Sequence, residues 1–132
     1  VAERYVARYE IPFQQNPHFP INTLAIMRGA VAHQMKAEGE FKKYLETCFT
    51  GMWVKPRNLN EFSEIKLMLS ESGFDVDQFQ DWIGDQVVKD RLIELTNAAV
   101  KRGVFGAPTF FLGDEMYFGQ DMLEEIEREV FR

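Results

Sequence analysis

Between Val104 and Asp121 the chain reads Val-Phe-Gly-Ala-Pro-Thr-Phe-Phe-Leu-Gly-Asp-Glu-Met-Tyr-Phe-Gly-Gln-Asp, and no other stretch constrains the fold as much. Two short runs, Thr109 to Leu112 and Glu115 to Phe118, flank the turn pair Gly113-Asp114, which predicts a β-hairpin. Gly106-Ala107-Pro108 stands at its entrance, where proline fixes φ, removes an N–H donor and permits a cis Ala107–Pro108 bond. A two-stranded hairpin alone is marginal in water, so the first strand calls for a further strand or a covering segment.

The rest of the chain carries helical periodicity. Residues 1–20 read as the end of a helix, with Val1, Tyr5, Val6 and Tyr9 on one face, followed by a loop stiffened by Pro12, Pro17 and Pro20. Residues 21–102 read as a helical domain with a long connecting helix. Its first helix is capped by Asn22 and stops at Gly39, and the second runs from about Glu40 to Val54. A third begins at Asn60, a fourth is capped by Asp75 with Gln78, and the long one runs from about Asp85 to Arg102, ended by Gly103. Residues 103–132 hold the hairpin and a last helix capped by Asp121 with Glu124. The expected class is α+β, mostly α, with one small sheet.

Composition excludes several functions. Hydrophobic residues at 45% and twelve Phe give a globular rather than a disordered chain. With 15 basic against 21 acidic residues, net −6, the surface lacks the positive charge that nonspecific nucleic-acid binding needs. The single Cys48 rules out a disulfide, a Cys-x-x-Cys pair or a cysteine-built zinc cage within these residues, and no metal set stands out. No apolar run is long enough to span a bilayer, and the charged start does not read as a signal peptide, so a cytoplasmic setting is expected.

The run Gly-Val-Phe-Gly-Ala-Pro-Thr-Phe-Phe followed by Phe118-Gly119-Gln120-Asp121 resembles the C-terminal signature of the DsbA-like branch of the thioredoxin superfamily. It is most similar there to 2-hydroxychromene-2-carboxylate isomerases and kappa-class glutathione transferases. Asn16-Pro17-His18-Phe19-Pro20 with Asn22-Thr23-Leu24 and Met27-Arg28-Gly29 is similar to the isomerases' entry into their helical domain. The resemblance implies a thioredoxin-like fold with an inserted helical domain, an N-terminal β-α-β unit not contained in this sequence, and glutathione as cofactor. The strand edge left open is to be covered by a swapped segment, a neighbouring chain or an N-terminal piece outside this sequence, so a homodimer or a swapped assembly is expected.

The resemblance also implies site roles, each beside a plainer one. Ala107 and Pro108 would offer the backbone of Ala107 to the glutathione peptide as if to an added strand, or form only a rigid turn. Phe118, Gly119, Gln120 and Asp121 would receive its γ-glutamyl end at a helix start, and Asp121 is also a natural cap. Asn16, His18 and Phe19 would touch a small aromatic acid, or serve only as a stiffened connection. His33 reads as a surface residue and Cys48 as a core residue. The family's catalytic serine or cysteine has no counterpart here, since Ser63, Ser70 and Ser72 belong to the third helix or its end, so these residues alone are expected to be inactive. The resemblance leaves three readings open: glutathione-dependent isomerase, kappa-type transferase or DsbA-like thiol oxidoreductase. A noncatalytic helical module stands beside them.

Overall fold

The structure is a computed structural model that describes residues 2–132, so Val1, placed on the first apolar face, lies outside the described residues. The chain divides into two compact units, one ending at Leu92 and one spanning Ile93–Arg132.

In the first unit, α1 (Ala2–Tyr9) leads into the proline loop, followed by α2 (Leu24–Lys36), α3 (Glu38–Trp53), α4 (Phe62–Glu71) and α5 (Val76–Gly84). Helix α2 packs on both α3 and α5 because its inward face is small: Gly29, Ala30 and Ala32 are buried. A Cβ at Gly29 would overlap the Tyr44 hydroxyl and lie 2.6 Å from the Phe79 ring, so only glycine admits both neighbours. Tyr44, Leu59, Ile65, Leu69 and Phe79 are almost fully enclosed, each contributing about 1.5–3 kcal/mol of burial. Tyr44 keeps its hydroxyl satisfied inside this core by donating to the Ile26 carbonyl at 2.7 Å.

Several helix ends differ from the sequence expectation. Thr23 holds the capping position of α2, while the Asn22 side chain accepts from the Leu24 N–H at 3.0 Å in an Asx turn. The stop expected at Gly39 falls at Ala37 (φ −152°, ψ 55°), and Gly39 lies in the first turn of α3, where Glu38 and Glu40 suit the helix dipole. Helix α4 starts at Phe62 rather than Asn60, because the Asn60 side chain reaches back to accept from the Asn22 N–H at 2.8 Å. Asp75 does cap α5, accepting from the Gln78 N–H at 3.0 Å.

Helix α6 (Gln86–Lys101) begins in the first unit and ends in the second, where Gly103, at φ +91°, terminates it. Strands β1 (Thr109–Leu112) and β2 (Glu115–Phe118) pair antiparallel with Thr109 opposite Phe118 and Leu112 opposite Glu115, the register read from the turn pair. Among the described residues the sheet has these two strands. The end of α6 is fastened to the hairpin by Arg102, whose guanidinium lies 3.5 Å from the Phe111 ring centroid. The chain ends in a 3-10 turn, Gln120–Met122, and α7 (Leu123–Val130).

Candidate functional site

The hairpin entrance is built by three local devices. Ala107–Pro108 is cis, as the sequence allows, and Thr109 Oγ1 donates to the Gly106 carbonyl at 2.6 Å, closing the turn before β1. The Gly119 N–H donates to the Pro108 carbonyl at 2.9 Å, which fixes the end of β2 beside the start of β1. Ala107 itself is exposed, and its N–H and C=O have no hydrogen-bond partner among the described residues.

Gly119 sits at φ +99°, ψ 151°, a region essentially reserved for glycine. That conformation turns the chain directly from β2 into the 3-10 turn, and it corrects the expected cap. Asp121 lies inside that turn, α7 starts at Leu123, and Met122 at its N-cap position makes no side-chain bond. The Asp121 carboxylate folds back over Gly119 instead, close enough that a Cβ there would sit 2.5 Å from Oδ1. Gln120 and Asp121 are both exposed, and their N–H groups head the turn, where no intrahelical acceptor exists. Phe118 turns its ring onto Phe105, centroids 4.7 Å apart, and over Gly106. Gly106 was not singled out for the site, although a glycine two residues before proline signals close approach: a Cβ there would meet the Phe118 ring at 2.7 Å.

In the first unit, the loop residues Asn16, His18 and Phe19 take different places. Asn16 is 2% exposed, and its amide nitrogen donates to the Arg57 carbonyl at 2.9 Å while Oδ1 accepts from the His18 N–H at 2.8 Å. Its side chain ties the loop to the backbone beyond α3. His18 is exposed, and Phe19 is 58% exposed with its ring 5.6 Å from Trp53. Trp53 carries Phe13 stacked on it at 5.6 Å.

His33 is the clearest departure from the sequence reading. It is buried rather than at the surface, stacked on Tyr44 at 4.4 Å and met edge-on by Phe74 and Trp82. Its Nδ1 lies 2.7 Å from the Gly29 carbonyl, so one ring nitrogen is satisfied within its own helix. Cys48 is half-buried, and burial pushes its thiol up to about 11, which makes it a poor nucleophile at neutral pH. Among the described residues no helix is long and apolar enough to cross a membrane.

Comparison with known proteins agrees with this fold. The chain is 32% identical over 132 residues to a 2-hydroxychromene-2-carboxylate isomerase of Pseudomonas sp. (strain C18), an alignment covering 97% of this chain and 58% of that protein. It is 30% identical to the isomerase of the same name from Pseudomonas putida, covering 98% of this chain and 62% of that protein. A solved structure of 2-hydroxychromene-2-carboxylate isomerase superposes with a TM-score of 0.77 at 28% identity, over 98% of this chain and 62% of that one. The chain therefore spans about three fifths of the length of these relatives. The family model for the DsbA-like thioredoxin domain matches residues 2–131, and with the hairpin, its cis-proline entrance and the helices in place, the chain belongs to that family.

Proposed function

We propose that this chain supplies glutathione-binding groups to a glutathione-dependent isomerase that acts on an aromatic acid resembling 2-hydroxychromene-2-carboxylate. The observation that carries the reading is the Gly119 N–H to Pro108 carbonyl bond at 2.9 Å, because it joins an unpaired stretch of backbone to a turn with free amides. The chemistry of the two parts fits the tripeptide. Ala107 offers one donor and one acceptor to an extended peptide backbone. The Gln120 and Asp121 N–H groups suit its γ-glutamyl carboxylate, and the exposed Asp121 carboxylate suits its ammonium.

When bound, glutathione supplies a thiol nucleophile that this chain does not provide from Cys48. The chain's own part is to hold and orient. Pro108 and Gly119 fix the distance between the peptide-pairing edge and the anion-binding turn, and Asp121 neutralises the ammonium. His18 and Phe19, the exposed members of the proline loop, are the groups assigned to the acid: the imidazole to an oxygen, the phenyl ring to the aromatic body. A cytoplasmic setting suits the reading, since reduced glutathione is the ligand.

The test is a glutathione titration followed by backbone NMR. Amides of Ala107, Gln120 and Asp121 are expected to shift together, and S-methylglutathione should shift them equally because the thiol has no partner in this chain. Asp121→Asn should weaken binding by about tenfold, the loss of one charge-assisted contact. Shifts confined to other residues, or none at all, would defeat the assignment.

A further inference from the structure

We propose that a polar cleft of ≈ 320 Å³, between the second half of α3 and the end of α4, binds a small phosphate ester with a hydroxylated body, of the sugar-phosphate class. No residue of the proline loop or the hairpin lines it, and the inference is independent of the glutathione reading.

Charge selects the occupant. Three cations, Lys43, Lys55 and Arg57, and two carboxylates, Glu46 and Glu71, line the cleft of a chain whose net charge is −6. Arg57 is already engaged, its guanidinium donating to Glu64 at 3.0 Å and to Glu71. Glu46 has Lys42, which lies outside the cleft lining, at 4.0 Å. Lys43 and Lys55 have no ion-pair partner among the described residues, so the uncompensated charge at the cleft is positive and comes from two ammonium groups. A phosphate monoester, with a charge of about −1.5 to −2 at neutral pH, matches both, where a single carboxylate matches one.

The backbone is prepared for an anion. Helix ends expose carbonyls, which repel negative charge unless other donors occupy them. Here they are occupied. The Thr50 carbonyl accepts from the Val54 and Lys55 N–H groups at 3.0 and 2.8 Å, and the Gly51 carbonyl accepts from the Arg57 N–H at 2.8 Å. At the end of α4 the Leu69 carbonyl accepts from the Ser72 and Phe74 N–H groups at 3.2 and 2.9 Å. The side-chain hydroxyls that remain are donors. Thr47 gives its own to the Lys43 carbonyl at 2.8 Å, whereas those of Thr50 and Ser72 have no partner among the described residues and can each donate to a phosphate oxygen. Phe74 steadies Lys43, its ring centroid 4.8 Å from Nζ, without taking up the ammonium charge in an ion pair.

A phosphoryl group fills only part of this volume. Met68 is the one lining residue with a wholly apolar side chain, so the body attached to the phosphate is polar. Glu46 and Glu71, both exposed, can accept from hydroxyl groups of that body, and they repel a second phosphate. The cleft therefore favours a monophosphate on a neutral, hydroxylated body.

The experiment titrates this chain with glucose 6-phosphate, glucose and inorganic phosphate, each alone at constant low ionic strength, following backbone amides by NMR. Glucose 6-phosphate is expected to shift the Thr50, Gly51, Lys55 and Ser72 amides saturably. Inorganic phosphate should shift the same amides several-fold more weakly, and glucose should shift none. Lys43→Gln and Lys55→Gln, both at exposed positions that leave the core untouched, should each weaken glucose 6-phosphate about three- to tenfold, the loss of one charge-assisted contact at a screened site. The proposal is overturned by the absence of saturable shifts at these amides, by glucose binding as tightly as its phosphate, or by lysine variants that leave the affinity unchanged. Shifts spread over surface lysines elsewhere overturn it as nonspecific adsorption of an anion. Equal affinity for inorganic phosphate overturns it too, since the hydroxylated body would then contribute nothing.

Discussion

Replacing Gly119 with alanine tests the joint on which the glutathione assignment depends. At φ +99°, ψ 151° a β-carbon is sterically excluded, and holding alanine there costs about 1–3 kcal/mol. The new Cβ would also stand 2.5 Å from Asp121 Oδ1 and push that carboxylate aside, a movement that is cheap for stability because the side chain is exposed. If the backbone relaxes instead, the 2.9 Å bond to the Pro108 carbonyl is lost, at about 1 kcal/mol. The chain takes one route or the other, which bounds the effect at about 1–3 kcal/mol of local stability. Gly113 is the internal control: at φ +61° with open space around a Cβ, alanine there costs about 1–2 kcal/mol. Trp53 and Trp82 both lie in the first unit, so tryptophan fluorescence does not report on the hairpin. Amide hydrogen exchange in β1 and β2 does, and a loss of this size lowers protection by roughly 5- to 150-fold. Glutathione shifts at Gln120 and Asp121 should vanish in Gly119→Ala and persist in Gly113→Ala. If the two variants behave alike in both measurements, the special role given to Gly119 is wrong.

Gly29→Ala should destabilise the first unit by up to about 2 kcal/mol, because overpacking of about 1–3 kcal/mol against the Tyr44 hydroxyl and the Phe79 ring outweighs the helix-propensity gain of about 1 kcal/mol. Urea unfolding followed by tryptophan fluorescence checks it, and an unchanged or higher midpoint would count against the packing argument. Cys48 should react with iodoacetamide at pH 8 about two orders of magnitude more slowly than a free cysteine, and its rate should keep climbing with pH toward about 11, where a plateau near pH 8.5 would contradict the burial cause. Lys36 donates to the Asp85 carboxylate at 2.9 Å and, with the Val87 N–H, holds it below the usual carboxylate range. The contribution of Asp85 is thus present above its unfolded-state pKa and fades as pH falls through the lowered native one. Lys36→Met should move the Asp85 titration, read by carboxyl carbon NMR, upward toward the ordinary value, and no movement would assign the shift elsewhere.

How much of this was legible in the sequence depends on where each residue's partners lie. The hairpin, the Asp75 cap and the Gly103 stop rest on contacts within about five residues, and their side-chain types encode them directly. His33 failed because a lone histidine on a helix reads as solvated, while the rings that enclose it, Tyr44, Phe74 and Trp82, come from three other stretches of chain. Its bond to Gly29, four residues back, is what makes that burial tolerable: the ring brings one satisfied nitrogen with it. The burial of Asn16 was hidden for the same reason, since a turn-forming Asn-Pro gives no sign that the amide will find the Arg57 carbonyl, 41 residues on.

The error at Asp121 has a different cause. Asp-x-x-Glu is a genuine cap pattern, but Gly119 enters the segment from a conformation that cannot lead straight into an α-helix start, and a 3-10 turn intervenes. The side-chain role was therefore misread, while the backbone groups proposed beside it kept their place at the head of a turn. Glycine and proline constrain the main chain at their own positions, whatever packs around them later. A ligand assignment built on main-chain groups next to Pro108 and Gly119 is accordingly better supported by sequence than one built on Asn16, whose side chain had distant competitors for its hydrogen bonds.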